Sequence, residues 1–318
     1  MCGIVGYVGP NLANPVLVEG LRRLEYRGYD SAGIAVMNGN GLETRKAAGK
    51  ISRLEEELAA SPISGTTGIA HTRWATHGAP TECNAHPHVD CKGHIAVVHN
   101  GIIENSSVLR KQLEASGHKF VSETDTETLA HLIEEAFEGS LEDAVIDALQ
   151  EIEGTYGIAV ISSDDPDKIV AARKGSPLLL GIGDNEFYVA SDASAILAHT
   201  RDVIYLDDGD IAVLDRKGYH VLDERSRRLS RKVSRIDWDL DQIERGGFDH
   251  FMLKEIFEQG ASIENTMRGR LLDEEGTSKL GGINLSDEEL LQFDNVVITA
   301  CGTSWHSALI GEHMLEEM

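Results

Sequence analysis

The chain's 318 residues include 53 acidic and 29 basic side chains, for a net charge of −24, with 41% hydrophobic residues. So negative a surface disfavours nucleic acid or an anionic membrane as partner. No apolar run approaches the roughly 18 residues of a membrane span, and the four scattered cysteines do not frame a disulfide scaffold. No basic stretch leads into an apolar core at the start, so no signal peptide is expected and a cytoplasmic location is.

In chain order, residues 3–8 and 31–37 are short apolar runs bounded by Gly, Asn and Pro, predicted as strands around a helix over 16–24. Residues 69–71 and 94–98 are predicted as further strands, and 107–115 as a helix stopped by Gly117. Leu129, Leu132, Ile133, Ala136 and Phe137 form one apolar helical stripe, and Leu141, Ala144, Val145, Ala148 and Leu149 the next. Short strands follow at 156–161, 168–172, 178–182, 187–190 and 210–214, then a charged, solvated hairpin over 216–235. A polar linker over 237–249 precedes a helix at 251–259. The apolar run 295–300 reads as a buried parallel strand entering a helix through Cys301-Gly302-Thr303-Ser304. Such a strand needs neighbours that the sequence does not supply, so an incomplete second domain is expected there. Strands, then helices, then strands again fit a layered sandwich of two sheets better than alternating β-α units.

Chemistry gathers at a few places. Cys2 follows a methionine that aminopeptidases remove before small residues. The mature chain would then carry a thiol nucleophile and its own amine base on one residue; the plain alternative is a buried cysteine opening a strand. In His71-Thr72-Arg73-Trp74-Ala75-Thr76-His77-Gly78, an Arg after a strand is suited to hold a carboxylate bidentately, or is a surface Arg on a loop. Asn100-Gly101 offers two neutral donors for an oxyanion, although on spacing alone a tight turn is the stronger reading. Thr124 or Asp125 reads as a helix N-cap with Glu127 nearby, and a functional Asp125 would pair with a substrate ammonium.

Together these stretches resemble the class II glutamine amidotransferases, a family of N-terminal nucleophile hydrolases. The resemblance rests on residues 1–6 (MCGIVG), 21–33 (LRRLEYRGYDSAG), 71–78, 84–88 (NAHPH), 99–105 (HNGIIEN), 122–127, 254–256 and 301–304. It implies an α+β, four-layer αββα sandwich over residues 2–236, a linker and helical lead-in over 237–290, and over 291–318 the first β-α unit of a truncated α/β sugar isomerase (SIS) domain. It implies glutamine hydrolysis through a γ-glutamyl thioester on Cys2, with Asn100 and Gly101 as oxyanion hole. Arg73 would hold the substrate α-carboxylate and Asp125 its α-ammonium, with Thr76 and His77 lining the pocket. Trp74 would gate an ammonia channel, Arg27 and Gly28 would steady the cysteine, and Cys301, Gly302, Thr303 and Ser304 would open a sugar-phosphate loop.

The match is close to the branch that aminates fructose 6-phosphate, for which a homodimer is expected in the full-length protein. Phosphoribosyl- and adenylate-binding motifs of other members that also start Met-Cys-Gly are not found; a catalytically silent remnant is the reading of a different class. No cofactor or metal is expected. Cys83-x2-His86-x-His88-x2-Cys91 has the ligand types of a Cys2His2 zinc site, but its spacing is tight and the family motif accounts for both histidines without an ion.

Overall fold

A computed structural model describes residues 2–75, 78–237, 247–267, 270–272, 276–278 and 285–317. The chain divides into two compact units, Met1–Gly246 and Gly247–Met318. In the first, β1 (Gly3–Val8) leads into α1 (Ala13–Leu24), which ends in a single 3-10 turn, Glu25–Arg27. Next come β2 (Ser31–Asn38), β3 (Gly41–Ala48), α2 (Ile51–Ala60), β4 (Thr67–Arg73), β5 (His88–Val89) and β6 (Ile95–Ile103). Three helices follow: α3 (Ser106–Ser116), α4 (Thr126–Ala136) and α5 (Leu141–Gln150). The remaining strands are β7 (Gly154–Ser162), β8 (Asp165–Lys174), β9 (Leu179–Ile182), β10 (Phe187–Ala190), β11 (Asp202–Tyr205), β12 (Ile211–Asp215), β13 (Gly218–Leu222), β14 (Arg228–Leu229) and β15 (Ser234–Arg235).

The strands form an eight-stranded sheet, β15-β11-β9-β10-β1-β4-β2-β3, and a seven-stranded sheet, β14-β13-β12-β8-β7-β6-β5, with antiparallel pairing. Period-two alternation decides which layer each side chain joins. In β1, Val5 and Tyr7 pack under α1 and α2, while Ile4 and Val8 face the second sheet. In β6, Ile95 and Val97 pack under α3, α4 and α5, while Ala96 and Val98 meet Ile4, Ile69 and Val189 across the interior. The result is the expected αββα sandwich, with one apolar seam between the sheets and one under each helical layer.

Several expectations need correction. Strand β3 and helix α2 were not anticipated: β3 is a half-buried edge strand of mixed sequence, and α2 buries only Ile51, Leu54 and Leu58. The charged 216–235 segment is no freestanding solvated hairpin. Val221 and Leu222 are buried, β13 pairs with both β12 and β14, and β15 crosses to the other sheet. Asn100-Gly101 is not a turn, because both residues continue β6, opposite Gly157 and Tyr156 of β7.

The second unit holds α6 (Phe251–Met267), a hairpin of Leu271–Leu272 with Thr277–Ser278, a helical turn at Asp287–Leu290 and α7 (Gly302–Glu317). Residues 295–300 are exposed and not a strand, contrary to the sequence reading. An extended segment needs a ladder partner, and none of the described residues pairs with it. Cys301 to Ser304 are also exposed, with Gly302 opening α7. Among the described residues no helix is long and apolar enough to cross a membrane.

Candidate active site

Cys2 immediately precedes β1, a strand flanked on one side by β4 and on the other by β10. The antiparallel register sets Gly3 against Thr72, so the start of the chain meets the residues leaving β4. There the Trp74 N–H donates to Cys2 Sγ at 3.2 Å, and Sγ lies 3.5 Å from the Trp74 carbonyl. Burial pushes the half-buried Cys2 thiol up from its ordinary value, against the opposing Trp74 N–H. A sulfur protonated at rest needs a base beside it to become a nucleophile. Ser191 clasps Ile4, two residues on: its Oγ accepts from Ile4 N at 2.9 Å and its own N–H donates to Ile4 O at 3.1 Å.

The Arg73–Trp74 peptide is braced from behind. A Cβ on Gly28 would lie 2.7 Å from the Arg73 carbonyl carbon, so only glycine permits this approach. Asp30 adds two tethers, its N–H to Arg73 O at 3.0 Å and its Oδ2 receiving Ala75 N–H at 2.8 Å. Arg27, buried, donates to Ser191 O at 3.2 Å and pairs with Asp192 at 3.1 Å. The half-exposed Trp74 ring meets Tyr29 edge-on at 5.6 Å.

Asn100 reaches the same point from the other sheet, its Nδ2 donating to the Cys2 carbonyl at 3.2 Å. His71 Nε2 lies 3.0 Å from Asn100 Oδ1 and 3.1 Å from the His99 carbonyl, so Nε2 carries the proton. Gly101 has φ +140, and a Cβ there would lie 2.0 Å from Thr155 O. Asp125 is not the side-chain cap expected of it: its backbone is already helical, and its Oδ2 accepts from Ile103 N at 2.8 Å, two residues beyond Gly101.

Arg73 is buried at the end of β4 and donates to Ala79 O at 3.3 Å. Burial pulls its guanidinium down from its ordinary value, countered by the charges of Cys2, Asp125 and Asp30. Cys2, Arg73, Trp74, Asn100 and Asp125 are thus drawn together, with Arg27 and Gly28 behind them. Thr76 and His77 lie outside the described residues.

Sequence reasoning passed over His71, Asp30 and Ser191 as functional groups. The first two fall in quoted motif stretches, whereas nothing around Ser191 marked it. Behind Asn100 runs a column of buried histidines. His71 stacks on His86 with centroids 4.2 Å apart, and His86 meets His88 at 4.8 Å. His86 Nδ1 accepts from His99 N at 3.3 Å, while His88 Nε2 and Thr124 Oγ1 lie 2.9 Å apart. Burial drives His71 and His88 down to about 3, His86 well below its ordinary value and His99 down as well, so all four are neutral near pH 7. The zinc pattern read from Cys83, His86, His88 and Cys91 does not assemble among the described residues, because Cys91 lies instead beside His118 and His131. Its histidines belong to this column, and Cys83 Sγ donates to Val121 O at 2.7 Å.

Residues 71–198 match the model of the glutamine amidotransferase domain family. Over its whole length the chain is 52% identical to glutamine–fructose-6-phosphate aminotransferase (isomerizing) of Chlorobaculum tepidum, covering 53% of that protein. It is 51% identical to the Thermus thermophilus protein of the same name, covering 52% of it. The chain thus spans about half the length of the curated relatives it matches. Among solved structures, glutamine phosphoribosylpyrophosphate amidotransferase of B. subtilis superposes with TM-score 0.62 at 27% identity, over 71% of this chain and 50% of that one. Fold, motif order and relatives agree: residues 71–198 match a glutamine amidotransferase domain, and the chain is similar to amidotransferases of the class II, N-terminal nucleophile type.

Proposed function

We propose that this chain hydrolyses the side-chain amide of free L-glutamine, giving glutamate and ammonia. Removal of Met1 would free the Cys2 amine, which takes the thiol proton. The thiolate then attacks the carboxamide carbon, and the oxyanion is held by Asn100 Nδ2 and the Gly101 N–H. On collapse the C–N bond breaks, the amine's proton goes to the leaving nitrogen, and ammonia departs from a γ-glutamyl thioester. Water, deprotonated by the same amine, cleaves the thioester and returns the thiol. Arg73 and Asp125 would recognise the substrate's α-carboxylate and α-ammonium, with Thr76 and His77 lining the pocket and Trp74 covering the exit for ammonia.

The observation that carries this reading is the meeting of the Trp74 N–H with Cys2 Sγ and of the Asn100 amide with the Cys2 carbonyl, where β1 begins, β4 ends and β6 passes by. The names of the relatives support a destination for the ammonia, the amination of fructose 6-phosphate. That step would need the residues of a longer protein, with 2–236 as glutaminase domain, 237–290 as linker and 291–318 opening a sugar-binding domain around Cys301 to Ser304. The test is glutamate release from glutamine before and after Cys2→Ala, with mass spectrometry of the amino terminus. Loss of Met1 with activity abolished in Cys2→Ala is the expected result. Retained Met1 without activity, or activity surviving Cys2→Ala, overturns it.

A further inference from the structure

A second constellation lies away from Cys2. Cys91 occupies the turn between β5 and β6, His118 follows the Gly117 that ends α3, and His131 and Glu134 stand three residues apart on α4. Gly117 adopts φ +103, and the next N–H, that of His118, returns to Leu113 O at 3.0 Å, which turns His118 back toward α4. One ligand atom from each of Cys91, His118, His131 and Glu134 lies within 4.8 Å of all the others.

The separations have a specific pattern. Cys91 Sγ is 3.6 Å from His118 Nδ1 and 3.7 Å from His131 Nδ1. Glu134 Oε2 is 3.1 Å from His118 Nδ1 and 3.4 Å from His131 Nδ1. Tetrahedral zinc, with Zn–S about 2.3 Å and Zn–N or Zn–O about 2.0–2.1 Å, sets S and N about 3.6 Å apart and N and O about 3.3 Å apart. The four distances match four of the six edges of that tetrahedron, and the other two are within 4.8 Å.

The outer contacts select an ion over a cluster of hydrogen bonds. His118 Nε2 faces Glu135 Oε1 at 3.2 Å, and the buried His131 Nε2 faces Glu127 Oε1 at 3.8 Å. The Glu135 carboxylate places the His118 proton on Nε2 and leaves its Nδ1 lone pair pointing inward, and the nearby Glu127 charge favours the same tautomer of His131 across a longer gap. The Lys119 N–H donates to Cys91 Sγ at 3.5 Å and the Cys91 N–H to Glu134 Oε2 at 3.1 Å, so backbone donors already serve the sulfur and the carboxylate from outside. With both protons on Nε2, the one inward donor is the Cys91 S–H, which cannot serve two Nδ1 atoms and a carboxylate oxygen at once. A cation resolves that arrangement.

We propose that Cys91, His118, His131 and Glu134 bind one structural Zn²⁺. Thiolate and imidazole favour zinc over the hard cations, and thiolate plus carboxylate neutralise its charge. Four protein ligands leave no open coordination position, so the site ties the β5–β6 turn and the α3–α4 connection to α4 and performs no chemistry. His131 lies six residues from Asp125, about 9 Å along the helix, so the metal braces the helix that begins at the ammonium-binding candidate.

The test uses the full chain, purified without chelator or a histidine tag. Elemental analysis is expected to find about one zinc per chain. Stripping the metal should lower the thermal midpoint, and added zinc should restore it. In a Cys2→Ala/Cys83→Ser/Cys301→Ser chain, Cys91 is the one remaining thiol of four. Cobalt added to that stripped chain should give a thiolate-to-cobalt absorption band that saturates at one equivalent and vanishes on further Cys91→Ser substitution. A band that survives Cys91→Ser overturns the proposal, and so does failure of the stripped wild-type chain to take up zinc or cobalt. Should the multiple variants not fold, the wild-type titration decides: a saturating band supports the site, and its absence refutes it.

Discussion

His71 Nε2 lies 3.0 Å from Asn100 Oδ1, and this contact decides which way the Asn100 amide faces. With Oδ1 held by an N–H donor, Nδ2 must point toward Cys2, where an oxyanion would form. His71→Leu leaves the amide free to rotate and is expected to lower kcat about 10–100-fold, below the full cost of losing an oxyanion donor, with little change in KM. His71→Gln, which restores a donor, should recover much of that loss. Steady-state glutaminase kinetics on both variants check it, and equal kcat in wild type and His71→Leu would remove His71 from the site.

Asp125 serves two masters, the Ile103 N–H and, as proposed, the substrate ammonium. Asp125→Asn keeps an acceptor oxygen for Ile103 but loses the charge. Stability is expected to change by less than about 1 kcal/mol, while kcat/KM for glutamine falls by about 30-fold or more. Urea melts and glutaminase assays on the same preparation separate the two effects; an unchanged kcat/KM would exclude Asp125 from substrate binding.

Gly101 and Gly117 both have positive φ, but only Gly101 is crowded, a Cβ there meeting Thr155 O at 2.0 Å whereas nothing lies within 4 Å at Gly117. Gly101→Ala must push β6 away from β7, at a cost of about 2–4 kcal/mol and with loss of activity. Gly117→Ala should cost only about 1 kcal/mol. Denaturant midpoints of the two variants, measured side by side, test the ranking.

The neutral histidine column makes the domain acid-sensitive. His71 and His88 sit near 3 when folded, against an ordinary value near 6.5, so unfolded chains bind more protons between those limits. Stability is therefore complete above about pH 6.5 and falls as pH drops, by up to about 1.4 kcal/mol per pH unit for each such histidine. Urea midpoints should stay level from about pH 7.5 to 6.5 and fall from there to about pH 5, and His88→Gln should flatten the slope.

How much of this was legible in the sequence depended on the range of the interaction. The apolar run of β1 and the apolar stripes of α4 and α5 are local, and they placed these elements correctly. Asn100-Gly101 misled as a turn signal because pairing with β7 holds it extended, and that pairing is invisible in two residues. The 295–300 run has a strand's composition but no ladder partner among the described residues. The metal-ligand set escaped reading for a related reason: Cys91 is 27 residues from His118 and 40 from His131, so no compact spacing announces it. Only the turn at Gly117 and the start of α4 bring these side chains together.

Chain ends ordinarily fray and sample solvent. In this protein Cys2, the proposed nucleophile, leads directly into β1, which lies between β4 and β10 near the middle of the larger sheet. Protection from hydrogen exchange should consequently be high within a few residues of Cys2, so that residue is released only when the sandwich itself melts.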